Sequence, residues 1–512
     1  VSVVSGNNVA ITDANAVDFG ASTISGTLDV IAGGAVSDSG VLAVTGTTTV
    51  DTDGDDDGTG DGNIVLDQNN DFATFVADAG DQTVTVSDAN AIVLGNVTAA
   101  TLNVTSDSDN SDTTTDSITQ AGSSTITVSG TTTLNTGTDA VSVAAVTLGE
   151  ATNNFGTVTV GNGGAVTLVD ADALVLGAMT ATSLNATTSG NITQSGALAL
   201  GATTLAAGTG DITLTTGTND FTGAVAITSG NNVAITDANA VDFGASTISG
   251  TFGVIATGAV SDSGAISAGA TTVTNAGNTV VLDAANDFAS INVTGSTVTV
   301  NDTNALDITG LTATGAVTVT TSGALTQSGA IDADTTTSLT AGAANDITLT
   351  NAANDFTGAV SIGSGNNVAI TDANAVDFGA STVSGTFDVI ATGAVSDSGA
   401  ISAGATTVSN AGNTVILDAA NDFASVNVTG STVTVNDTNA LDIAGLTATG
   451  AVTITTAGAI TQSGAIDADT TTSLTAGGAN NITLTNAAND FTGAVSVVSG
   501  NNVAITDANA VD

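Results

Sequence analysis

The chain has 512 residues, of which 49 are acidic and none is Lys, Arg, His, Cys, Pro, Trp or Tyr, so its formal charge is −49. Only carboxylates and hydroxyls remain for catalysis, and the Asp residues recur in equivalent sets without a unique constellation, so the chain is not expected to be an enzyme. Nucleic acid and anionic lipid are excluded as partners because no side chain can neutralise a phosphate, and zero cysteines rule out disulfides.

The first stretch, Val1 to Asp18, reads VSVVSGNNVAITDANAVD and carries no basic segment of a signal peptide. The same string returns from Val495 to Asp512, so the sequence reads as an excised piece of a longer repeating polypeptide, with an uncapped β edge at each end. Hydrophobic residues make up 41% and mean hydropathy is +0.36, with apolar alternation such as Val298-Thr299-Val300, which argues against disorder. No run of apolar residues is long enough for a transmembrane helix.

Two acidic insertions follow in residues 1–220, the irregular part of the chain. The first, near 51–63, runs DTDGDDDGTGDGN before Ile64 and is seven residues longer than the matching later turn, TNAGNT. Its Asp53-Gly54-Asp55-Asp56-Asp57-Gly58 matches the D-x-D-x-D-G half of a calcium loop, with Asp61 at the ninth position. Asp53, Asp55, Asp57 and Asp61 are therefore the candidate Ca²⁺ ligands, although Ile64 stands where the bidentate Glu of such a loop belongs. The second insertion, near 106–116, brings Asp107, Asp109, Asp112 and Asp116 without a Gly kink, and is expected to emerge beside the first from one edge.

Beyond residue 220 the chain is regular. SGNNVAITDANAVD begins at Ser229, Ser364 and Ser499, a repeat of 135 residues that divides the chain into 221–355, 356–490 and the start of a further copy at 491–512. Within it the Asn-Asp-Phe step recurs at Phe221, Phe288, Phe356, Phe423 and Phe491, at intervals of 67 or 68, so the long repeat is a doubled half-unit. A finer series, Phe356, Phe378, Ile401, Phe423, Ile443, Ile466 and Phe491, reads as one inward column advancing by one coil per step. Coils of 20–25 residues holding three short strands between Gly, Asn, Asp and Ser turns predict an all-β, single continuous parallel β-solenoid over 1–512. Its 21 to 23 coils would extend ~100 to 110 Å. Triplets such as Asp237-Ala238-Asn239 and Asp302-Thr303-Asn304 read as turn caps. Asp302→Asn is accordingly expected to matter little, whereas Phe288→Asp should bury an unpaired carboxylate.

Segments such as GALTQSGAIDADTTTSLTAGAANDITLTNAANDFTGAVSI, from Gly323 to Ile362, resemble the repeats of bacterial filamentous-haemagglutinin-like giant exoproteins and related autotransporter adhesins. That resemblance implies a right-handed parallel β-helix, an extracellular, secreted or cell-surface location, and a role as shaft or adhesin. The expected function is a rigid, highly acidic structural rod of a cell-surface fibre. The alternative is a subunit of a self-assembling filament, sheath or S-layer. The expected partners are other copies or further repeats of the same solenoid, end to end or lateral, and a host or neighbouring cell surface.

Overall fold

The computed structural model describes residues 1–54, 62–109, 116–137 and 143–509. Among them all regular structure is strand, and the strands stack in parallel as a β-solenoid of about 24 turns. The local cause is alternation. In Val298–Asp302 the side chains of Val298, Val300 and Asp302 are buried while Thr299 and Asn301 face outward, the two-residue period of extended backbone. Corners are tight enough to demand glycine at particular points: a Cβ on Gly210 would lie 2.3 Å from the Gly190 carbonyl oxygen of the coil beneath. No helix among the described residues is long and apolar enough to cross a membrane.

The chain divides into two compact units, Val1–Gly258 with Ile266–Ala268, and Ala259–Ala265 with Gly269–Asp512. In the first, one inward column runs Val36, Ile64, Val84, Leu102, Thr132, Val158 and Leu176 in continuous register. The long steps from Val36 to Ile64 and from Leu102 to Thr132 contain the two acidic insertions, and the ladder is paired on either side of both. Their placement differs from the expected single edge. The first insertion enters this face at Ile64, whereas the second leaves it after Ser106, so they flank opposite edges of one face. The reason is arithmetic: the two uninserted turns are separated by two coils plus the width of a face, not by two coils alone.

In the second unit a column can be followed from Val298 through Val317 and Thr337 to Val360, which pairs with Phe378. From the same strand, Val376–Phe378, it continues through Val395 and Val415 to Val433. One 135-residue repeat therefore holds seven coils, with steps mostly of 18 to 20 residues, rather than the six implied by the Phe and Ile series.

A half-unit is consequently three and a half coils, and successive half-units fall on different faces. Val360, just after Phe356, belongs to the column above, while Val426, just after Phe423, stacks on Thr406 and Phe387. The Phe and Ile residues of the proposed column are all buried, but they do not form one column. Instead Phe356, Phe423 and Phe491 each sit over an alanine, Ala333, Ala403 and Ala468. A ring is bulkier than the ~4.8 Å slab allotted to one coil, and the small residue beneath makes room for it. Where two rings do meet, they tilt edge to face, as Phe378 and Phe387 do with centroids 4.9 Å apart.

Candidate functional site

Of the four candidate calcium ligands, Asp55, Asp57 and Asp61 lie outside the described residues, as does Asp112 of the second insertion. Asp53 is buried, and its main-chain N–H donates to the Asp51 carboxylate at 2.9 Å. Asp51 in turn faces Asp78 across the ladder. The base of the loop is closed by Thr52, whose hydroxyl donates to the Gly62 carbonyl at 2.7 Å. The second loop is closed in the same manner by the Ser106 hydroxyl and the Asp116 carbonyl. Among the described residues no group of three His, Cys, Asp or Glu side chains could hold a metal ion.

The side chains that the fold does bring together lie at the buried corners around each Asn-Asp-Phe step. Asn354 is fully buried. Its Oδ1 accepts from Gln327 Nε2 at 2.8 Å and from the Ile331 N–H at 3.0 Å. Its Nδ2 donates to Gln327 Oε1 at 2.8 Å, to the Leu349 carbonyl at 3.2 Å and to the Thr371 carbonyl at 3.1 Å. One amide thus satisfies polar groups of three successive coils, which no main-chain ladder can reach at a corner. Asn219 with Gln194 and Asn489 with Gln462 repeat this hub.

In the alternate half-units the glutamine is replaced by an aspartate. Asn421 Nδ2 donates to Asp397 Oδ2 at 2.6 Å, and the N–H groups of Asp418 and Ala419 donate to Asp397 Oδ1 at 2.8 and 3.2 Å. Asn421 Oδ1 still reaches down to the Ile401 N–H, at 2.8 Å. Asp262 with Asn286, and Asp38 with Asn70, are built alike.

A second carboxylate pins the phenylalanine. The Phe288 N–H donates to Asp302 Oδ2 at 2.7 Å while the Asn304 N–H donates to Oδ1 at 2.8 Å. Asp237, Asp372 and Asp437 clamp Phe221, Phe356 and Phe423 in the same way, and Asp88 clamps Phe72. This corrects the expectation for Asp302. It does cap its own turn, through Asn304, but it is fully buried and its other oxygen binds the previous coil. An Asn there would turn an N–H₂ donor either on Phe288 or on Asn304.

Burial, opposed by these hydrogen bonds, pushes the carboxyls of Asp237, Asp302, Asp372 and Asp437 above the usual range, and those of Asp262 and Asp397 likewise. Asp88 is pushed up to about 7, with the charges of Asp71 and Asp116 adding to its desolvation. On the exposed surface the opposite occurs: main-chain donation from Asn367 holds Asp346 below the ordinary carboxylate range. Sequence reasoning missed the hubs because it followed the phenylalanine. The signal was present, since an Asn stands two residues before Phe221, Phe288, Phe356, Phe423 and Phe491 alike.

Comparison with curated proteins and with solved structures finds no match. A family model described as "Repeats of unknown function (DUF5649)" matches seven successive segments, residues 6–79, 81–162, 163–228, 230–294, 295–363, 365–429 and 430–498. The matched unit is the half-unit that carries one Asn hub, and the two longest matches are those interrupted by the acidic insertions. The chain therefore belongs to the family of DUF5649 repeats, as a β-solenoid built from them.

Proposed function

We propose that this chain is a structural shaft segment of a secreted bacterial cell-surface fibre or giant adhesin, the class of exoprotein its repeats resemble. One observation carries the reading. The buried side-chain chemistry recurs at every half-unit as hub and clamp, so it serves to hold coils in register. Imaging of the purified chain by electron microscopy tests the reading. A fibre one solenoid wide supports a shaft. Bundles several solenoids wide would replace it with a laterally assembling filament, sheath or S-layer, and compact particles would end both.

The proposal extends to Ca²⁺ at Asp53, Asp55, Asp57 and Asp61, an all-oxygen donor set of the kind hard divalent cations take. Calcium should then raise the melting temperature relative to chelator at matched ionic strength, and replacement of the four Asp by Asn should lower that response while leaving most bulk screening intact. Equal melting temperatures would remove calcium from the proposal and leave the shaft reading untouched.

A further inference from the structure

The corner carboxylates share a situation that few buried acids meet. In the repeat 356–490, Asp372, Asp397 and Asp437 are all buried, and the whole sequence contains no Lys, Arg or His to pair with them. Buried carboxylates are ordinarily compensated by a cation. Among the described residues their compensation comes from main-chain N–H groups and one amide. The charged groups that face them are of the same sign: Asp355 towards Asp372, Asp418 towards Asp397, Asp422 towards Asp437. In the first unit Asp88 faces Asp71 and Asp116.

We propose that protons serve as the missing counter-ions at these corners, so that the solenoid hardens as its surroundings turn mildly acidic. The inference goes beyond the shaft reading and holds whatever load the solenoid carries. The direction follows from linkage. A carboxyl held above its unfolded value binds more protons in the folded state, so stability is gained as pH falls through the folded pKa. That gain is complete below the unfolded value near 3.9 and is lost as pH rises again. With Asp88 at about 7, the window opens near neutrality and runs down towards about pH 4. Each unit by which a carboxyl is raised corresponds to a tenfold change in the opening equilibrium of its coil.

The competing cause of acid stabilisation is relief of repulsion among the many surface Asp residues, and the test must separate the two. Urea unfolding of the full chain would be followed from about pH 8 to 5 in high salt, where surface repulsion is screened. The exposed set Asp332→Asn, Asp334→Asn, Asp467→Asn and Asp469→Asn serves as control. Expected is a midpoint that rises on acidification in both proteins alike, with opening of the Phe356 and Phe423 amides slowed, and opening of the Phe72 amide, which Asp88 clamps, slowed on the order of tenfold or more after correction for intrinsic exchange. Infrared spectra of the native chain provide a readout that needs no variant: a carboxylic-acid carbonyl band should grow in well above the pH at which exposed Asp residues protonate. A midpoint that stays flat or falls in high salt, a rise that disappears in the exposed-set variant, or no acid band above about pH 5 would each overturn the proposal.

Discussion

Replacing Asn354 by alanine isolates the hub. The amide closes five hydrogen bonds of 2.8 to 3.2 Å, and truncation leaves the Ile331 N–H and the Leu349 and Thr371 carbonyls facing a side chain that can no longer answer them. A buried main-chain group left unpaired costs about 1–3 kcal/mol. Gln327 is only half-buried, so its amide can turn to water and adds little. Counting the Ile331 N–H and the Leu349 carbonyl in full gives about 2 to 6 kcal/mol. In a stacked array each coil depends on its nearest neighbours, so the loss should be local, concentrated in the coils between Leu325 and Thr371. Hydrogen exchange read by mass spectrometry on peptides from that region would show it as lost protection, while peptides around Val433 keep theirs. Thr335→Ala, an exposed change in the adjoining turn, should stay within about 0.5 kcal/mol. If the two variants exchanged alike, the hub would be incidental to the stack and the account of the corners would be wrong.

Among the described residues the buried hydroxyls of Thr337 and Thr472 meet no hydrogen-bond partner, so Thr337→Val and Thr472→Val, which keep the branched shape, should each stabilise by about 1 kcal/mol in urea unfolding. Asp302→Asn should destabilise by about 1–3 kcal/mol, because one of the two N–H groups it serves would face an N–H₂, and the Phe288 amide should lose protection. Phe288→Asp should cost several kcal/mol by placing a second carboxylate in a corner that already buries one. A neutral outcome for Asp302→Asn would restore the reading of that residue as a simple turn cap.

What could be read from the sequence was whatever has a local cause. Alternation in stretches such as Val298-Thr299-Val300 gives strand and inward face directly, and short strands returning between Gly, Asn, Asp and Ser turns every 20–25 residues give a solenoid, because a unit that short cannot bury its inward face without stacking on its neighbour. The Asx turn at Asp302 was equally legible, since its partner Asn304 is two residues away. The second bond of Asp302, to Phe288, crosses coils, and spacing alone does not reveal it. The coil number failed for a related reason. Phe356, Phe378 and Ile401 are buried and nearly evenly spaced, which imitates a column. Only the register, with Phe378 over Val360 and under Asp397, shows that the chain had already gained part of a coil.

In the regular part of the chain the hub types alternate with the half-units, Gln beside Asn219, Asn354 and Asn489 and Asp beside Asn286 and Asn421. A half-unit of three and a half coils spans ~17 Å and a full repeat ~34 Å. Were every hub an Asp, the carboxylates of neighbouring hubs, which also lie on different faces, would repel by at most about 1 kcal/mol at an effective dielectric of 20, against about 0.5 kcal/mol at the full-repeat spacing. Gln327 and Gln462 supply the same acceptor geometry as Asp397 without adding charge to a chain that has no cation. Gln327→Glu converts a neutral hub into a charged one with little change of shape. Its carboxylate would set oxygen against oxygen where Nε2 now donates to Asn354 Oδ1 at 2.8 Å and to the Gly329 carbonyl at 2.6 Å. Asn354 Oδ1 keeps the Ile331 N–H and the half-buried carboxylate can turn to water, so the cost near neutral pH should be about 1 to 3 kcal/mol. Protonation restores one donor, and a glutamic acid raised by burial regains stability as pH falls through its folded pKa, so the deficit should shrink on acidification. Urea midpoints of the variant and the parent at about pH 7.5 and 5 measure it. A deficit equal at both pH values would mean that the Gln hubs are not there to limit buried charge.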